Sequence, residues 1–205
     1  MKIVYFVDGL NRGGVESVVC HLSSSFAKLR NKIYIICLHK DMNDLHLEIP
    51  EYISVFYLPF ESNRNHHVNY IRYLPNLVDL LKKIKPDIVH LHNIHGYFLN
   101  YALLFDFLKD AGIPIVWTLH DCWSFTGHCA HFTFAKCDKW INGCYSCPQI
   151  NTYPTSFFRD RSKQNYEDKR KSFTSVPNLT LVPVSDWLAG LLKKSFLKEY
   201  TIHRI

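Results

Sequence analysis

Short apolar runs alternate with segments of helical period along most of this chain, and this alternation limits the folds that it can adopt. Six apolar runs bounded by turn residues have the length of β-strands: 2–7, 32–37, 53–58, 87–91, 114–119 and 179–184. Within these runs apolar residues follow one another directly, which is typical of strands that are buried on both faces. A sheet of such strands needs a layer of helices on each side.

Helices are predicted between these runs. After the first run, apolar residues recur at helical spacing and form one buried face: Val15, Val18, Val19, Leu22 and Phe26. Further helices are predicted at 69–84, with Pro75 as a kink or a fresh start, and at 97–110, about 156–173 and 185–196. Strands that alternate with helices predict an α/β fold built on a Rossmann-like, doubly wound parallel sheet.

The length and composition are those of a globular chain with a buried core. Its 205 residues are 47% hydrophobic, which suits one domain. No apolar run approaches the roughly 20 residues of a membrane-spanning helix, and the first run ends at Asp8 and Gly9, too early for a signal peptide. We therefore expect a cytoplasmic protein whose seven cysteines stay reduced and serve in metal binding, catalysis or packing. The net charge of +6 suits an acidic partner without choosing among nucleotides, lipid head groups and nucleic acid.

Four segments follow the ends of predicted strands, where ligands collect in open parallel sheets. They read DGLNRGGVES after the first strand, HLHNIHGY after the fourth, TLHDCWSFTGH after the fifth and PVSDWLAG after the sixth. In the first segment, Gly13 and Gly14 let the backbone approach a ligand, and the next helix points its amides at that ligand. This pattern predicts anion binding, or else a tight turn between strand and helix. It is not the Gly-x-Gly-x-x-Gly dinucleotide fingerprint.

Four stretches of the chain resemble a known family of enzymes. GGVES at the start of the first helix, KPDIVHLHN, IPIVWTLHD and VPVSDWLAGLLKKS are similar to the N-terminal domain of retaining family-four glycosyltransferases with the GT-B fold. The resemblance covers essentially the whole chain. TGHC, GC and CP in the cysteine-rich segment further resemble a branch that acts in colanic acid, capsular and similar cell-surface polysaccharide synthesis. The resemblance implies transfer of a sugar from a nucleotide-sugar donor to a glycan or lipid-linked glycan acceptor, with retention at the anomeric carbon.

The resemblance also implies a division of the enzyme into two domains. Residues 1–205 correspond to the N-terminal, acceptor-side domain, with a cysteine-rich insert at about 120–155. In the family, a second Rossmann-like domain that holds most of the donor nucleotide follows the position of YTIHRI, so this chain is expected to lack that domain. We therefore expect the 205-residue chain to have no transferase activity alone.

The resemblance assigns roles to several residues at the strand ends. Gly13 and Gly14 correspond to the glycine loop that approaches the donor phosphates, and Glu16 is expected to contact the acceptor or to brace this loop. His120 corresponds to the histidine that hydrogen-bonds the donor sugar near its reacting carbon. Asp121 is expected to orient His120, to bind a sugar hydroxyl or to cap the following turn. Positioned hydrogen bonds suffice for such a transfer, so His120 and Asp121 are the candidate catalytic residues and no protein nucleophile is required.

Two further residues at strand ends are candidates for substrate binding. His90 and His92 both lie on the fourth strand, and one side chain is expected to face each side of the sheet. His92 is nearer the strand end and is the preferred candidate, although a histidine in a strand is more often packed. Ser185 is expected to cap the last helix, with a ligand contact as its second role.

The long irregular segment 120–155 contains a set of four cysteines. A loop of this length in a compact domain is usually functional or held by something extra. Cys144 and Cys147 are spaced to grip one zinc ion from a single turn, and Cys129 and Cys137 would complete a tetrahedral structural site. Spare donors that could substitute for them are Cys122, His128 and His131. The alternatives are a redox pair, buried unligated thiols, or disulfides formed during preparation.

The last predicted helix has an apolar side and a basic end. The apolar side fits burial against the sheet, in which case the terminal lysines favour the helix dipole. The same pattern also fits contact with the anionic inner face of a membrane. The residues that form it are Trp187, Leu188, Leu191, Leu192, Phe196, Lys193, Lys194 and Lys198.

Two rival functions from other classes are compatible with part of the sequence. A zinc-containing nucleic-acid-binding module would use the cysteines and the positive charge, but the basic residues are dispersed and no recognition helix adjoins the cysteines. A nucleotide-sugar epimerase or dehydrogenase shares the start of the fold but requires the dinucleotide fingerprint. A nucleotide-sugar donor and a glycan acceptor are therefore the expected partners, without nucleic acid.

Overall fold

The computed structural model of the chain describes residues 1–10, 13–37, 49–58, 66–95, 99–156 and 159–205, and the side chains of all of these except 66–73. The chain divides into two compact units, Met1–Trp117 and Thr118–Ile205. The division falls within the strand β5 (Ile115–Leu119), so each unit contains part of this strand.

The first unit is a parallel sheet with helices between its strands. Its strands are β1 (Lys2–Val7), β2 (Lys32–Cys37), β3 (Ser54–Tyr57), β4 (Ile88–Leu91) and the start of β5, in the spatial order β3-β2-β1-β4-β5. All of these neighbours pair in parallel. The helices are α1 (Gly14–Lys28), α2 (His66–Ile84) and α3 (Tyr101–Asp110). Helices such as α1 and α3 supply the crossover that two parallel strands require.

Both faces of the central strand are buried, which explains why its sequence is apolar almost throughout. Ile3, Tyr5 and Val7 join alternate residues of β2 and Val19 of α1 in one core cluster. Successive side chains of a strand point to opposite faces, so Val4 and Phe6 belong to the other face, and they are 0% and 2% exposed. The predicted parallel sheet with two buried faces is confirmed.

The second unit contains a long irregular segment followed by helices and two strands. These are α4 (Ser162–Phe173), β6 (Leu179–Pro183), α5 (Asp186–Leu192) and β7 (Thr201–Ile202), with β6 and β7 parallel. The regular structure of segment 120–155 consists of two short 3₁₀ turns, Trp123–Phe125 and Lys139–Ile141. The Val184 amide donates to the Leu119 carbonyl at 3.3 Å, which brings the ends of β5 and β6 together.

The predicted strands match the observed ones to within one residue at each end, while the helices differ more. β7 is not among the predicted strands. α2 begins at His66 and runs through Pro75, so the fresh start considered there is wrong. α4 begins at Ser162 and α5 ends at Leu192, which makes both helices shorter than predicted. The start of α3 predicted at residue 97 lies outside the described residues.

Local side-chain bonds explain two of the observed helix starts. The N-cap residue of α3, Asn100, accepts the Leu103 amide at 3.2 Å, so α3 begins at Tyr101. The N-cap residue of α4, Arg161, makes no side-chain cap bond, but the Asp160 carboxylate just before it accepts the Ser162 amide at 2.8 Å. Hydrophobic periodicity does not reveal such bonds, because the accepting residue lies outside the helix.

Candidate functional site

Gly13 caps the N-terminus of α1 with its backbone alone. Its conformation is extended, with φ −160° and ψ 170°, and the Ser17 amide and hydroxyl both donate to its carbonyl, at 3.1 and 2.8 Å. A Cβ at Gly13 would overlap the Glu16 carboxylate, whereas a Cβ at Gly14 would meet nothing within 4 Å. The negative charge of Glu16 thus lies in the first turn, where the helix dipole favours it. This position fits the bracing role predicted for Glu16, and a phosphate bound here must share the helix terminus with that carboxylate.

The two histidines at the end of β4 lie together, which corrects the prediction that they face opposite sides of the sheet. Side chains two residues apart in an extended strand point to the same face, so the spacing of these histidines favours the observed arrangement and the expectation of opposite faces was wrong. The rings of His90 and His92 stack with their centroids 4.6 Å apart, and the Tyr5 ring lies 5.0 Å from that of His90. His92 is fully buried, and its carbonyl accepts the indole N–H of Trp117 at 2.9 Å. These contacts are those of a packed histidine, the alternative to a ligand-binding one.

Three predicted site residues follow the adjacent ends of β5 and β6 in the second unit. His120, Asp121 and Ser185 are all partly exposed. Asp121 accepts the Trp123 amide at 2.8 Å, and Ser185 accepts the Leu188 amide at 3.2 Å. Both side chains therefore cap the turn or helix that follows them, which was one predicted role of each. Their contacts with a ligand stay predictions.

The segment after Asp121 is folded back on itself and buried. Residues 122–130 are all buried, although they form little regular structure. The Cys122 amide donates to the Ala130 carbonyl at 2.9 Å, and the Thr126 hydroxyl donates to the Cys129 carbonyl at 2.6 Å. Buried backbone groups outside helices and sheets need such partners, so these bonds define the shape of the loop.

Lys169 of α4 lies against this buried segment, and residue type alone does not mark it as a site residue. It is 2% exposed, and its ammonium donates to the carbonyls of Trp123 and Thr126 at 2.8 and 2.9 Å. Tyr166, Lys169 and Phe173 are three and four residues apart and belong to the buried stripe of α4. A lysine at a helical spacing reserved for apolar residues is the signal that points to it.

The four cysteines predicted as metal ligands, Cys129, Cys137, Cys144 and Cys147, line one small cavity of about 10 Å³. A cavity of this size accommodates a single water-sized occupant. A hydrogen bond between the Cys129 and Cys147 thiols lowers the pKa of Cys147 to about 7 and raises the pKa of Cys129. The Gly127 amide donates to the Cys144 sulfur at 3.1 Å. Cysteines spread over the irregular segment therefore line one small cavity.

Of the three spare donors, His128 lines this cavity, while Cys122 and His131 do not. The His128 side chain is 6% exposed, and its Nε2 atom has no hydrogen-bond partner among the described residues. Burial lowers the pKa of His128, which favours the neutral imidazole that a metal ion requires. Burial raises the pKa of Cys122 to about 12, and His131 is exposed. His128 is thus the spare donor that a ligand in this cavity would meet.

All seven cysteines are free thiols. Across the described ranges, and not in the gaps between them, no group of three or more histidine, cysteine, aspartate or glutamate side chains is arranged to hold a metal ion. The structural zinc therefore stays a prediction.

The apolar side of α5 is packed in the second unit. Leu188 and Leu192 are 1% and 0% exposed, whereas Trp187 is 51% exposed. Burial, the first alternative for this helix, accounts for the two leucines but not for the tryptophan. Among the helices of the described part of the chain, none is long and apolar enough to cross a membrane.

Asp160 ties the cysteine-rich segment to the start of α4. Its carboxylate accepts the amides of Cys147 and Ser162 at 2.7 and 2.8 Å. Partial burial by itself would raise the pKa of Asp160, but hydrogen bonds from Ser162 and Cys147 outweigh it and lower the pKa. Because the folded pKa lies below the unfolded one, this stabilisation is present above the unfolded pKa and is lost as the pH falls through the folded pKa.

Asp160→Asn is expected to lower the free energy of unfolding by about 1 kcal/mol near neutral pH, because asparagine carries no charge and has a single oxygen for the two amides that the carboxylate accepts. The difference from wild type should shrink at about pH 3, where a carboxylate of ordinary pKa is largely protonated. Denaturant unfolding near neutral pH and at about pH 3 measures this difference in the free energy of unfolding. Asp138→Asn is the control, because this side chain makes no capping bond. An equal loss at both pH values would contradict the role of the Asp160 charge.

The chain matches the family described as Glycosyltransferase Family 4 over residues 12–179. It is also similar to WcaC of Escherichia coli (strain K12), which is named as a colanic acid biosynthesis glycosyl transferase, with 40% identity over 96 residues. The similar stretch covers 44% of this chain and 23% of WcaC, so the match extends over less than a quarter of that relative.

Two solved structures are similar to the chain over its whole length. UGT73P12 of Glycyrrhiza uralensis, complexed with glycyrrhetinic acid 3-O-monoglucuronide, has a TM-score of 0.54 at 14% identity, and 48% of it is covered. A UDP-glucosyltransferase of Polygonum tinctorium has a TM-score of 0.54 at 10% identity, and 52% of it is covered. The chain thus spans about half the length of each. At such identities the likeness concerns the fold, and it confirms the predicted fold class.

Proposed function

Because the chain belongs to glycosyltransferase family 4, we propose that it forms the acceptor-side domain of a retaining glycosyltransferase that acts in cell-surface polysaccharide synthesis. The proposed reaction moves a sugar from a nucleotide-sugar donor to a glycan or lipid-linked glycan acceptor. The observation that carries the proposal is the family match over residues 12–179. The similarity to WcaC supports the choice of a polysaccharide pathway.

In this proposal, the chemistry of the chain lies at the ends of β5 and β6. A partly exposed imidazole at His120 can donate to, or accept from, a hydroxyl of the donor sugar. The bond from the Trp123 amide fixes the orientation of the Asp121 carboxylate, which suits Asp121 to orient His120 or a sugar hydroxyl. Such preorganised contacts stabilise the developing charges of the transfer without reorganising in the reaction. Ser185 and the backbone at Gly13 and Gly14 are the proposed additional substrate contacts.

The reaction is tested with the complete protein that contains this chain. Release of nucleoside diphosphate is measured with a panel of nucleotide sugars and a lipid-linked glycan acceptor, and NMR of the product distinguishes retention from inversion. The 205-residue chain alone is the control and is expected to release none. Turnover by that chain alone contradicts the domain assignment. A folded complete protein that is inactive with every donor contradicts the proposed function.

The two rival functions are not favoured by the family match, and binding experiments separate them. A nucleic-acid-binding module would bind an oligonucleotide with strong dependence on salt. An epimerase or dehydrogenase of this fold would bind NAD. Binding of a nucleotide sugar, with no binding of the oligonucleotide or of NAD, supports the proposed transferase function.

We further propose that Cys129, Cys137, Cys144 and Cys147 hold a structural zinc ion. The support is that all four line one cavity, together with the unpartnered Nε2 atom of His128. When protein ligands fill all four coordination positions of a zinc ion, no position is left for a substrate. The proposed role of this zinc is therefore to stabilise the loop.

Purified protein is expected to contain about one zinc ion per chain, measured by elemental analysis. Cys144→Ser should lower the zinc content and expose the remaining thiols to alkylation, because three thiolates bind zinc less tightly than four. Cys20→Ser is the control, since Cys20 lies on α1 outside the cavity. Trace zinc in reduced wild-type protein, with reactive thiols, contradicts this proposal.

We also propose that the protein acts in the cytoplasm, in peripheral contact with the inner face of the membrane that carries the acceptor. The support is the half-exposed Trp187 beside the exposed lysines at Lys193, Lys194 and Lys198. Sedimentation with liposomes tests it, and binding that does not depend on anionic lipid contradicts it.

A further inference from the structure

We propose that Lys169 is a positioning residue, whose buried ammonium fixes the turn after His120 and Asp121 and thereby holds these two residues in place for sugar transfer. The inference rests on the proposed function of this strand end. It adds to that function a residue of a distant helix, α4, which neither the motifs nor the family resemblance indicates.

The Lys169 ammonium binds both ends of the turn Trp123–Phe125. Its Nζ atom donates to the carbonyl of Trp123, the first residue of the turn, at 2.8 Å, and to that of Thr126, which ends it, at 2.9 Å. The same Nζ lies 3.4 Å from the centroid of the Trp123 ring, a cation–π contact. Trp123 thus offers both a carbonyl and a ring face to one cation.

Asp121 connects this turn to the candidate site. Its carboxylate accepts the Trp123 amide at 2.8 Å, so Asp121 holds the amide and Lys169 holds the carbonyl of the same residue. Burial lowers the pKa of Lys169, and Asp121 is the first of the acidic groups that oppose this effect. Two residues separate His120 from Trp123, so a displacement of the turn is transmitted to His120 through a short stretch of backbone.

The task of Lys169 depends on its ammonium and not on its volume. An apolar residue of similar size would fill the stripe between Tyr166 and Phe173 at lower cost, since burying a charge is unfavourable unless it is paired. An apolar side chain, however, cannot donate to the buried carbonyls of Trp123 and Thr126. Carbonyls that lose a charged donor inside a protein stay unsatisfied or move until they find water. The lysine therefore defines the shape of the turn.

Lys169→Met removes the ammonium and keeps most of the volume, and Lys171→Met on the exposed side of α4 is the matched control. In the complete enzyme, Lys169→Met is expected to lower kcat about tenfold while the KM for the donor changes less than about threefold. Hydrogen exchange of the amides at 122–127 should become about tenfold faster, while exchange in β6 keeps its rate. Lys171→Met should match wild type in every measurement.

A double variant separates this inference from the proposed function. If Lys169 acts through His120, adding Lys169→Met to His120→Ala should lower kcat by less than about threefold more. A further tenfold loss in the His120→Ala background, or unchanged exchange at 122–127, overturns the inference. If His120→Ala alone keeps full activity, the proposed function of His120 fails, while exchange at 122–127 still decides whether Lys169 holds the turn.

A second substitution keeps the inference testable if Lys169→Met does not fold. Lys169→Gln retains a donor for the two carbonyls but carries no charge. In Lys169→Gln, the amides at 122–127 are expected to exchange faster than in wild type but less than about tenfold faster. The kcat of this variant is expected to fall about threefold. Wild-type exchange and wild-type kcat in Lys169→Gln overturn the role of the ammonium.

Discussion

His120→Ala is expected to lower the turnover of the complete enzyme roughly ten- to hundredfold. His120 directly follows β5 and is partly exposed, so its imidazole is available at the edge of the sheet where ligands bind. If His120 binds the donor sugar as proposed, alanine leaves a sugar hydroxyl unpaired, at a cost of roughly 1 to 3 kcal/mol. If this interaction is made mainly in the transition state, kcat falls while the KM for the donor changes little.

Thermal stability and zinc content of His120→Ala should stay near those of wild type, because the imidazole is neither in the core nor in the cysteine cavity. Calorimetry and elemental analysis measure the two quantities. His131→Ala, which removes an exposed histidine outside the cavity, is the control and should be fully active. Full activity of His120→Ala, or unfolding of the domain, would show that the assignment of His120 to the site is wrong.

Gly127→Ala is expected to lower the free energy of unfolding by about 1 to 3 kcal/mol, the usual cost of overpacking. An added methyl group would overlap the Ser162 carbonyl and lie 2.6 Å from the Cβ atom of Cys144. Ser162 contributes backbone at the start of α4, and the Cys144 sulfur accepts the Gly127 amide at 3.1 Å. Neither neighbour is the free end of a flexible side chain, so the loop itself must shift.

Denaturant unfolding measures the effect of Gly127→Ala, with Gly190→Ala as the matched control. Gly190 lies within α5, and a Cβ there would meet nothing within 4 Å. Alanine is a better helix former than glycine, so Gly190→Ala should be more stable than wild type by up to about 1 kcal/mol. If the zinc proposal holds, Gly127→Ala should also lose zinc. A Gly127→Ala variant as stable as wild type would contradict the close packing of this loop on α4.

The strands of the first unit could be predicted because burial on both faces leaves a pattern in the sequence itself. Val4 and Tyr5 are adjacent, point to opposite faces and are both fully buried. A polar side chain is therefore disfavoured on either face of this strand. The capping role of Ser185 was equally local, since its hydroxyl accepts an amide only three residues away. Neither conclusion needed contacts from distant parts of the chain.

The expected opposite orientation of His90 and His92 was wrong for a local reason. Side chains two residues apart in a strand point to the same face, so their spacing predicts neighbours. The structure places the two rings in a stack with their centroids 4.6 Å apart. The third ring of this group could not be predicted, because Tyr5 belongs to β1, which lies opposite His90 only once the sheet has formed.

By itself, the sequence determined the parallel α/β fold, the family and the residues that follow each strand, among them His120, Asp121 and Ser185. These conclusions rest on periodicity and on order along the chain, which are local properties. The tertiary structure alone decided that Lys169 is buried and that four separated cysteines line one cavity. The Lys169 ammonium bonds to carbonyls 46 and 43 residues away, and such partners exist only after the chain has folded. A buried charge is tolerated only with partners of this kind, so helical spacing can mark Lys169 as unusual but cannot show which groups bind its ammonium.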